Sequence, residues 1–307
     1  PAGTDYGYFG GGGPSSGTTT VDRIDFDNDT ATAAAKGPLS GARSWPASTG
    51  NQSYGYWAGG TAPSTISSVD RVDYSSDTGT AAPKGPLSIT RKWSTATGNA
   101  SYGYLGGGHN GSGDVSSVDR IDYSSDTSTA APKGPLTVTR RWVVATGNTS
   151  YGWFAGGEPA PAPAYEYSTV DRIDYSSDTS TASPKGNLDR VTYGGGATGN
   201  ASYGYVGGGQ DNVPKSFVSR IDYSNDSATA VAKGPLTATR KYLAATGNTS
   251  YGYFAGGTNP GATVSLIDRV DYSSDTPTAS SKGPLTSTRE SLSGASSRAN
   301  ALPTTSG

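Results

Sequence analysis

The stretch from Thr90 to Leu136 decides the fold: TRKWSTATGNAS (90–101), YGYLGGG (102–108), the loop HNGSGD (109–114), VSSVDRIDYSSDT (115–127) and STAAPKGPL (128–136). It holds four short β-like segments separated by Gly/Asn/Ser/Asp turns, and no apolar period of 3.6 runs through it. Thr95-Ala96-Thr97, like Ser48-Thr49, Val144-Ala145-Thr146 and Ala244-Ala245-Thr246, offers the small side chains of a strand crowded near an axis, followed by the hairpin pair Gly-Asn. The second segment, Tyr102 to Leu105, ends in glycines that let neighbouring backbone approach. The third, Val118 to Tyr123, closes in the polar turn Asp126-Thr127, and the fourth carries Pro132, which suits an outer edge strand.

The same sentence recurs six times. Its Tyr-Gly openings stand at Tyr6, Tyr54, Tyr102, Tyr151, Tyr203 and Tyr251, at spacings of 48, 48, 49, 52 and 48 residues. A period near fifty means stacked supersecondary units. The ends complement each other: residues 5–12 begin at a second segment, and residues 286–297 supply a first segment with none after it. This predicts an all-β, six-bladed propeller of four antiparallel strands per blade, its ring closed by the C-terminal strand completing the N-terminal blade. The chain is then one domain, with blades at 5–40 plus 286–297, 41–88, 89–137, 138–189, 190–237 and 238–285. It holds no Met and starts at Pro1, so it is expected to be part of a longer chain.

An aromatic strand ending in Gly-Gly, a V-x-x-(I/V)-D-Y strand and an Arg opening the next unit resemble kelch-type propeller repeats in all six units. The chain departs from that pattern where Thr80, Thr129 and Thr181 replace a frequent Trp, which alters packing at the blade rim. The near-verbatim copies of VDRIDYSSDT and ATGN-x-S also resemble tandem repeats in virion and tail-associated proteins of marine tailed phages.

Composition narrows the function. With a net charge of −2 and no basic patch, nucleic-acid binding has no support. The absence of Cys excludes disulfides and thiolate chemistry. There is no apolar run long enough to insert in a membrane and no visible signal peptide. One His, three Glu and no Cys give catalysis little to draw on, so no catalytic residue is assigned. Residues Asp25 to Asp29 alternate oxygens as a calcium loop does, but they lack its Gly and distal Glu, so no metal or cofactor is expected. The glycine run 10–13 opens no helix and is not a phosphate loop. Asn51, Asn99, Asn148, Asn200 and Asn248 lie in N-x-S sequons that hairpin chemistry already explains.

Charges recur with the repeat. Arg23, Arg71, Arg120, Arg172, Arg220 and Arg269 lie in the third segment, with Asp25, Asp73, Asp122, Asp174, Asp222 and Asp271 two residues on; Arg43, Arg91, Arg140, Arg190, Arg240 and Arg289 open the first. These are expected to be structural, each Arg bridging to an Asp of a neighbouring blade or to backbone carbonyls.

From the third-segment Val or Ile to the Leu of KG-x-L is 18 residues in every copy, and from that Leu to the next Tyr is 15. All length variation therefore lies between the Gly-Gly and the third strand. Antiparallel succession puts these six loops on one end of the ring, where binding function sits when loops vary on a rigid scaffold. Drift is the alternative. Candidate contacts are His109, Asn110 and Asp114 in the third loop, Glu158, Tyr165, Glu166 and Tyr167 in the proline-rich fourth, Gln210, Asp211, Asn212 and Lys215 in the fifth, and Asn259 in the sixth. The reading that follows is a non-enzymatic binding module on a phage virion or tail fibre, extracellular or in the particle. It would recognise a host-surface glycan or protein, touch other virion subunits and be open to homo-oligomerisation. Alternatives are a structural decoration protein and a glycan-cleaving enzyme.

Overall fold

A computed structural model describes residues 6–13, 16–159 and 166–297. It contains six four-stranded antiparallel sheets. In the third blade these are Thr95–Gly98, Tyr102–Gly106, Val118–Asp122 and Ala131–Lys133, hydrogen-bonded in that order from the inside outward. Blades 2, 4, 5 and 6 repeat this plan, beginning at Ala47, Val144, Gly196 and Ala244. Blade 1 is composite: Ser293–Ser296 pairs with Tyr6–Gly10, which pairs with Val21–Asp25 and then Ala34–Ala35. The innermost strands touch one another around a closed cycle. The chain is a six-bladed propeller whose ring is closed by its C-terminal strand.

The core lies between the blades, in six clusters that each join two neighbours. One sets Tyr104, Val118 and Leu136 against Phe154, Ile173 and Tyr175 of the next blade. Each fully buried aromatic or aliphatic side chain there stabilises by about 1.5–3 kcal/mol. The second-strand aromatics Tyr8, Tyr56, Tyr104, Trp153, Tyr205 and Tyr253 stack on Tyr74, Tyr123, Tyr175, Tyr223, Tyr272 and Phe26 of the following blade, at centroid distances of 3.9–4.8 Å. Pro83, Pro132 and Pro184 sit in outer strands, as edge chemistry requires.

The repeated charges form two systems. Third-strand arginines do cross to the next blade, but their partner is the aspartate of the polar turn. Arg71 meets Asp126 at 2.8 Å, Arg120 meets Asp178 at 2.7 Å, and Arg172 meets Asp226 at 3.0 Å. Each of these carboxylates also takes a lysine (Lys84, Lys133, Lys185) and a ring donor (Tyr56, Tyr104, Trp153). This corrects the assignment of Asp73, Asp122 and Asp174 as the partners. Those residues begin a short 3-10 turn, and each accepts the backbone N–H two residues on, because an Asp at that position closes its own turn before any long side chain can reach it. In the second system Arg91 and Arg140 are wholly buried within their own blade. Arg140 lies 3.0 Å from Asp171 and donates to the carbonyls of Phe154, Gly156 and Thr169 at the root of the variable loop, while Arg91 faces Asp119 at 3.5 Å.

Blade 5 breaks this second system. Arg190 is not the equivalent of Arg140. Counting four residues from the KG-x-L leucine reaches Arg91 and Arg140 but Thr192 in blade 5. Arg190 instead forms an exposed pair with Asp189 at 2.7 Å.

Candidate functional site

Six residues after each KG-x-L leucine, the chain turns inward at Trp45, Trp93, Trp142, Gly194, Tyr242 and Ser291. All six have φ between +50° and +65°, which L residues other than Gly adopt at a cost of about 1–3 kcal/mol. Backbone bonds bind the turns to one another: Trp142 N to Trp93 O, Gly194 N to Trp142 O, Tyr242 N to Gly194 O, Ser291 N to Tyr242 O and Trp45 N to Ser291 O, at 2.6–3.1 Å. The side chains converge on the axis. Trp45 of blade 2 reaches Tyr242 of blade 6 at 4.7 Å and Trp142 of blade 4 at 6.2 Å, contacts possible only across the centre of the ring. Trp93 lies 4.7 Å from Trp142. Beneath this aromatic floor is a cavity of about 110 Å³. It continues along a channel of small residues such as Ala96, Ala145 and Ala245, the crowding that the first-segment composition predicts.

Around the floor runs a rim of paired residues. The residue before each inward turn bridges to the residue after the Gly-Gly: Ser44 to Thr61, Lys92 to His109, Arg141 to Glu158, Tyr193 to Gln210 and Lys241 to Thr258. In blade 1 the N–H of Gly13 donates to Glu290 O at 2.7 Å. No two of these pairs have the same chemistry, although the strands beneath them are near copies.

Three of the predicted contacts therefore belong to the rim. His109 packs edge-on to Trp93 at 5.5 Å, and its Nδ1 accepts the N–H of Gly111. Burial lowers its pKa, with the charge of Asp114 opposing and those of Lys92 and Arg141 adding to the shift. Glu158 is buried and takes Nε and Nη2 of Arg141 on one oxygen, at 3.0 and 2.8 Å. Gln210 Nε2 donates to the Tyr242 hydroxyl at 3.3 Å. The Asp114 carboxylate is buried 3.9 Å from Arg141, and neither of its oxygens has a hydrogen-bond donor among the described residues. The indole N–H groups of Trp93 and Trp142 likewise have no acceptor there.

The other predicted contacts that the structure describes are not members of these rim pairs. Asn110 and Asn259 close their own loops, each accepting two backbone N–H groups, so their side-chain oxygens are already used. Asp211 and Lys215 pair at 2.8 Å, and Asn212 is exposed with φ +115°. Glu166 and Tyr167 are half-buried, and Tyr167 links the fourth loop to Thr192 through its backbone. Tyr165 lies outside the described residues. Among the described residues, no three His, Asp or Glu side chains gather as a metal-ligand set, and no helix is long and apolar enough to cross a membrane.

Sequence reasoning missed the floor itself and its cations Lys92, Arg141 and Lys241. The signal was present as an aromatic at a constant offset of six from the leucine in four of six copies.

No model of a protein family matches the chain, and no curated protein matches it. Among solved structures it is similar to the one reported as "Structure of YjhT", with a TM-score of 0.69, 11% identity, and coverage of 82% of this chain and 87% of that one. At that identity the likeness is one of fold alone.

Proposed function

We propose that this propeller is a non-enzymatic binding module that recognises a glycan or protein on a host surface through the face carrying the aromatic floor and its rim. In this reading it is displayed on a phage virion or tail fibre, where many copies turn a weak single contact into avidity. One observation carries the proposal. Within a chain that otherwise copies itself, the rim pairs are all different, and they surround a strained aromatic cluster. Drift would scatter differences over every exposed position. The exposed turns of the opposite face instead repeat as SSDT or close variants.

The test is binding of the intact chain to a glycan array and to whole bacterial cells. Lys92→Ser with Lys241→Ser should weaken binding, because neither lysine is ion-paired among the described residues. Ser101→Lys with Ser150→Lys, on the opposite face, should leave it unchanged. If the opposite-face pair abolishes binding and the rim pair does not, the wrong face has been chosen. Burial of the floor against sister subunits in an assembled particle would also refute the reading.

A further inference from the structure

We propose that the sector of the rim between blades 4 and 5 is a subsite for one neutral pyranose ring, with Tyr193 as its stacking platform and Glu158, Glu166 and Gln210 as its hydroxyl acceptors and donors. The inference rests on the binding reading above and narrows it to one place and one ligand class.

Three observations select this sector. First, most aromatic faces of the floor are already covered by the protein's own cations. Lys92 sits 4.2 Å over Trp93, Arg141 sits 4.8 Å over Trp142, and Lys241 sits 4.9 Å over Tyr242. Among the described residues, no Lys or Arg stacks on Tyr193 or Trp45. Trp45 is held edge-on by Trp93 and Tyr242. Tyr193 has one face stacked on Trp142 at 5.4 Å and 24°, which fixes the ring, and the residue is half-buried rather than enclosed.

Second, the negative charges of Glu158 and Glu166 reach Tyr193. Glu158 commits only one oxygen to Arg141. Glu166 makes no hydrogen bond or ion pair among the described residues. Both are near enough to add to burial in raising the Tyr193 hydroxyl pKa. Gln210 is held beside Tyr193 by reciprocal backbone bonds of 3.0 and 3.1 Å. A ring face for C–H contact beside carboxylate and amide groups is the chemistry that recognises a sugar's apolar face and its hydroxyls together. The acidic groups at the rim, Asp114, Glu158, Glu166 and Glu290, outnumber the cations Lys92, Arg141 and Lys241, so no excess positive charge favours an anionic sugar.

Third, blade 5 is the blade that abandons the repeat here. It places Thr192, Tyr193 and Gly194 where blade 3 has Arg91, Lys92 and Trp93. A side chain at Gly194 would strike the Tyr242 ring at 2.8 Å, so the glycine is what lets that ring lie down beside the platform.

The test is saturation-transfer NMR on the whole chain with three probes at millimolar concentration: methyl β-D-galactopyranoside, methyl α-D-mannopyranoside and N-acetylneuraminic acid. Transfer to ring C–H protons of at least one neutral pyranoside is expected. Tyr193→Ala should weaken that binding at least tenfold, Glu166→Gln at least threefold, and Tyr193→Phe less than twofold. Retention of the wild-type melting temperature by Tyr193→Phe and Glu166→Gln separates binding from folding. Unchanged binding in Tyr193→Ala, stronger binding of the anionic sugar, or no transfer to either neutral probe would overturn the subsite. Any of these results alongside rim-dependent capture of a glycan or cell would leave the broader reading standing. Loss of that capture as well would remove both.

Discussion

Ser219 donates its hydroxyl hydrogen bond to the carboxylate of Asp189, and this reverses the arrangement of the other five blades. Elsewhere the third strand carries the Asp and the linker carries the Ser or Thr, as in Ser88 to Asp119 at 2.6 Å and Thr137 to Asp171 at 2.7 Å. In blade 5 the two chemistries have changed places and the bond survives. The guanidinium that the strand Asp neutralises elsewhere is replaced by Thr192, so no buried charge is left over. The three changes are therefore one unit. Ser219→Asp alone should destabilise the ring by about 3 kcal/mol, because it buries a second carboxylate with no cation. The triple change Asp189→Thr, Thr192→Arg, Ser219→Asp should recover most of that loss. Urea unfolding of the single and triple variants measures the coupling, and additive losses would show that the positions are independent.

The two arginine systems should differ in cost. Arg140 and Asp171 are both fully buried, so Arg140→Ala should cost about 3–5 kcal/mol. The Arg120 side chain is 25% exposed, and Lys133 and Tyr104 remain on Asp178 when it is lost. Arg120→Ala should therefore cost only about 1–2 kcal/mol, between the limits for exposed and buried pairs. Chemical denaturation ranks the two, and equal losses would contradict the difference in burial.

Acid and alkali should each unfold the ring through a repeated group. At Asp126, burial acts to raise the carboxyl pKa, but hydrogen bonds from Tyr56 and Lys84 and the charges of Arg71 and Lys84 together outweigh it and lower the pKa. Asp178 and Asp275 behave alike. A depressed folded pKa contributes stability that is complete above the unfolded value of about 3.9 and is lost as pH falls through the folded one. Stability should drop steeply below about pH 4, and Asp178→Asn should flatten that drop. Burial raises the pKa of Tyr56, Tyr104, Tyr123 and Tyr175. Their contribution is complete below about pH 10 and fades above it. Phenolate absorbance should therefore appear together with loss of circular dichroism rather than before it.

Gly194→Ala tests the floor without touching a charge. The added methyl would lie 2.8–2.9 Å from the Tyr242 ring, in a backbone conformation with φ +65°. A loss of about 1–2 kcal/mol is expected. Displacement of Tyr242 should change the near-ultraviolet circular dichroism of the packed indoles, and an unchanged spectrum would show that the floor is looser than its contacts imply.

Blade number, strand order and ring closure were legible because they depend on spacing, and spacing is visible in one dimension. Ser293–Ser296 beside Tyr6–Gly10 follows from complementary ends alone. The partners of the third-strand arginines were less legible. Asp73 and Asp77 are equally repeated, and only the stagger between blades, which no single repeat encodes, selects Asp77 and its equivalents. The aromatic floor escaped because its side chains leave the backbone at positive φ, outside both the strand alternation and the loops. Arg190 misled because it matches its counterparts by residue type, whereas distance from Leu188 points to Thr192.

Asp29 receives Arg269 at 2.7 Å, Lys282 at 3.1 Å and the Tyr253 hydroxyl at 2.9 Å, the arginine, lysine and ring-donor ties that join every other pair of neighbours by carboxylate, with Trp153 as the ring donor at Asp226. The carboxylate ties across the seam between first and last blades are thus those of the rest of the ring. A circularly permuted gene that opens the chain inside another blade and fuses the present ends should encode an equally well-knit wheel.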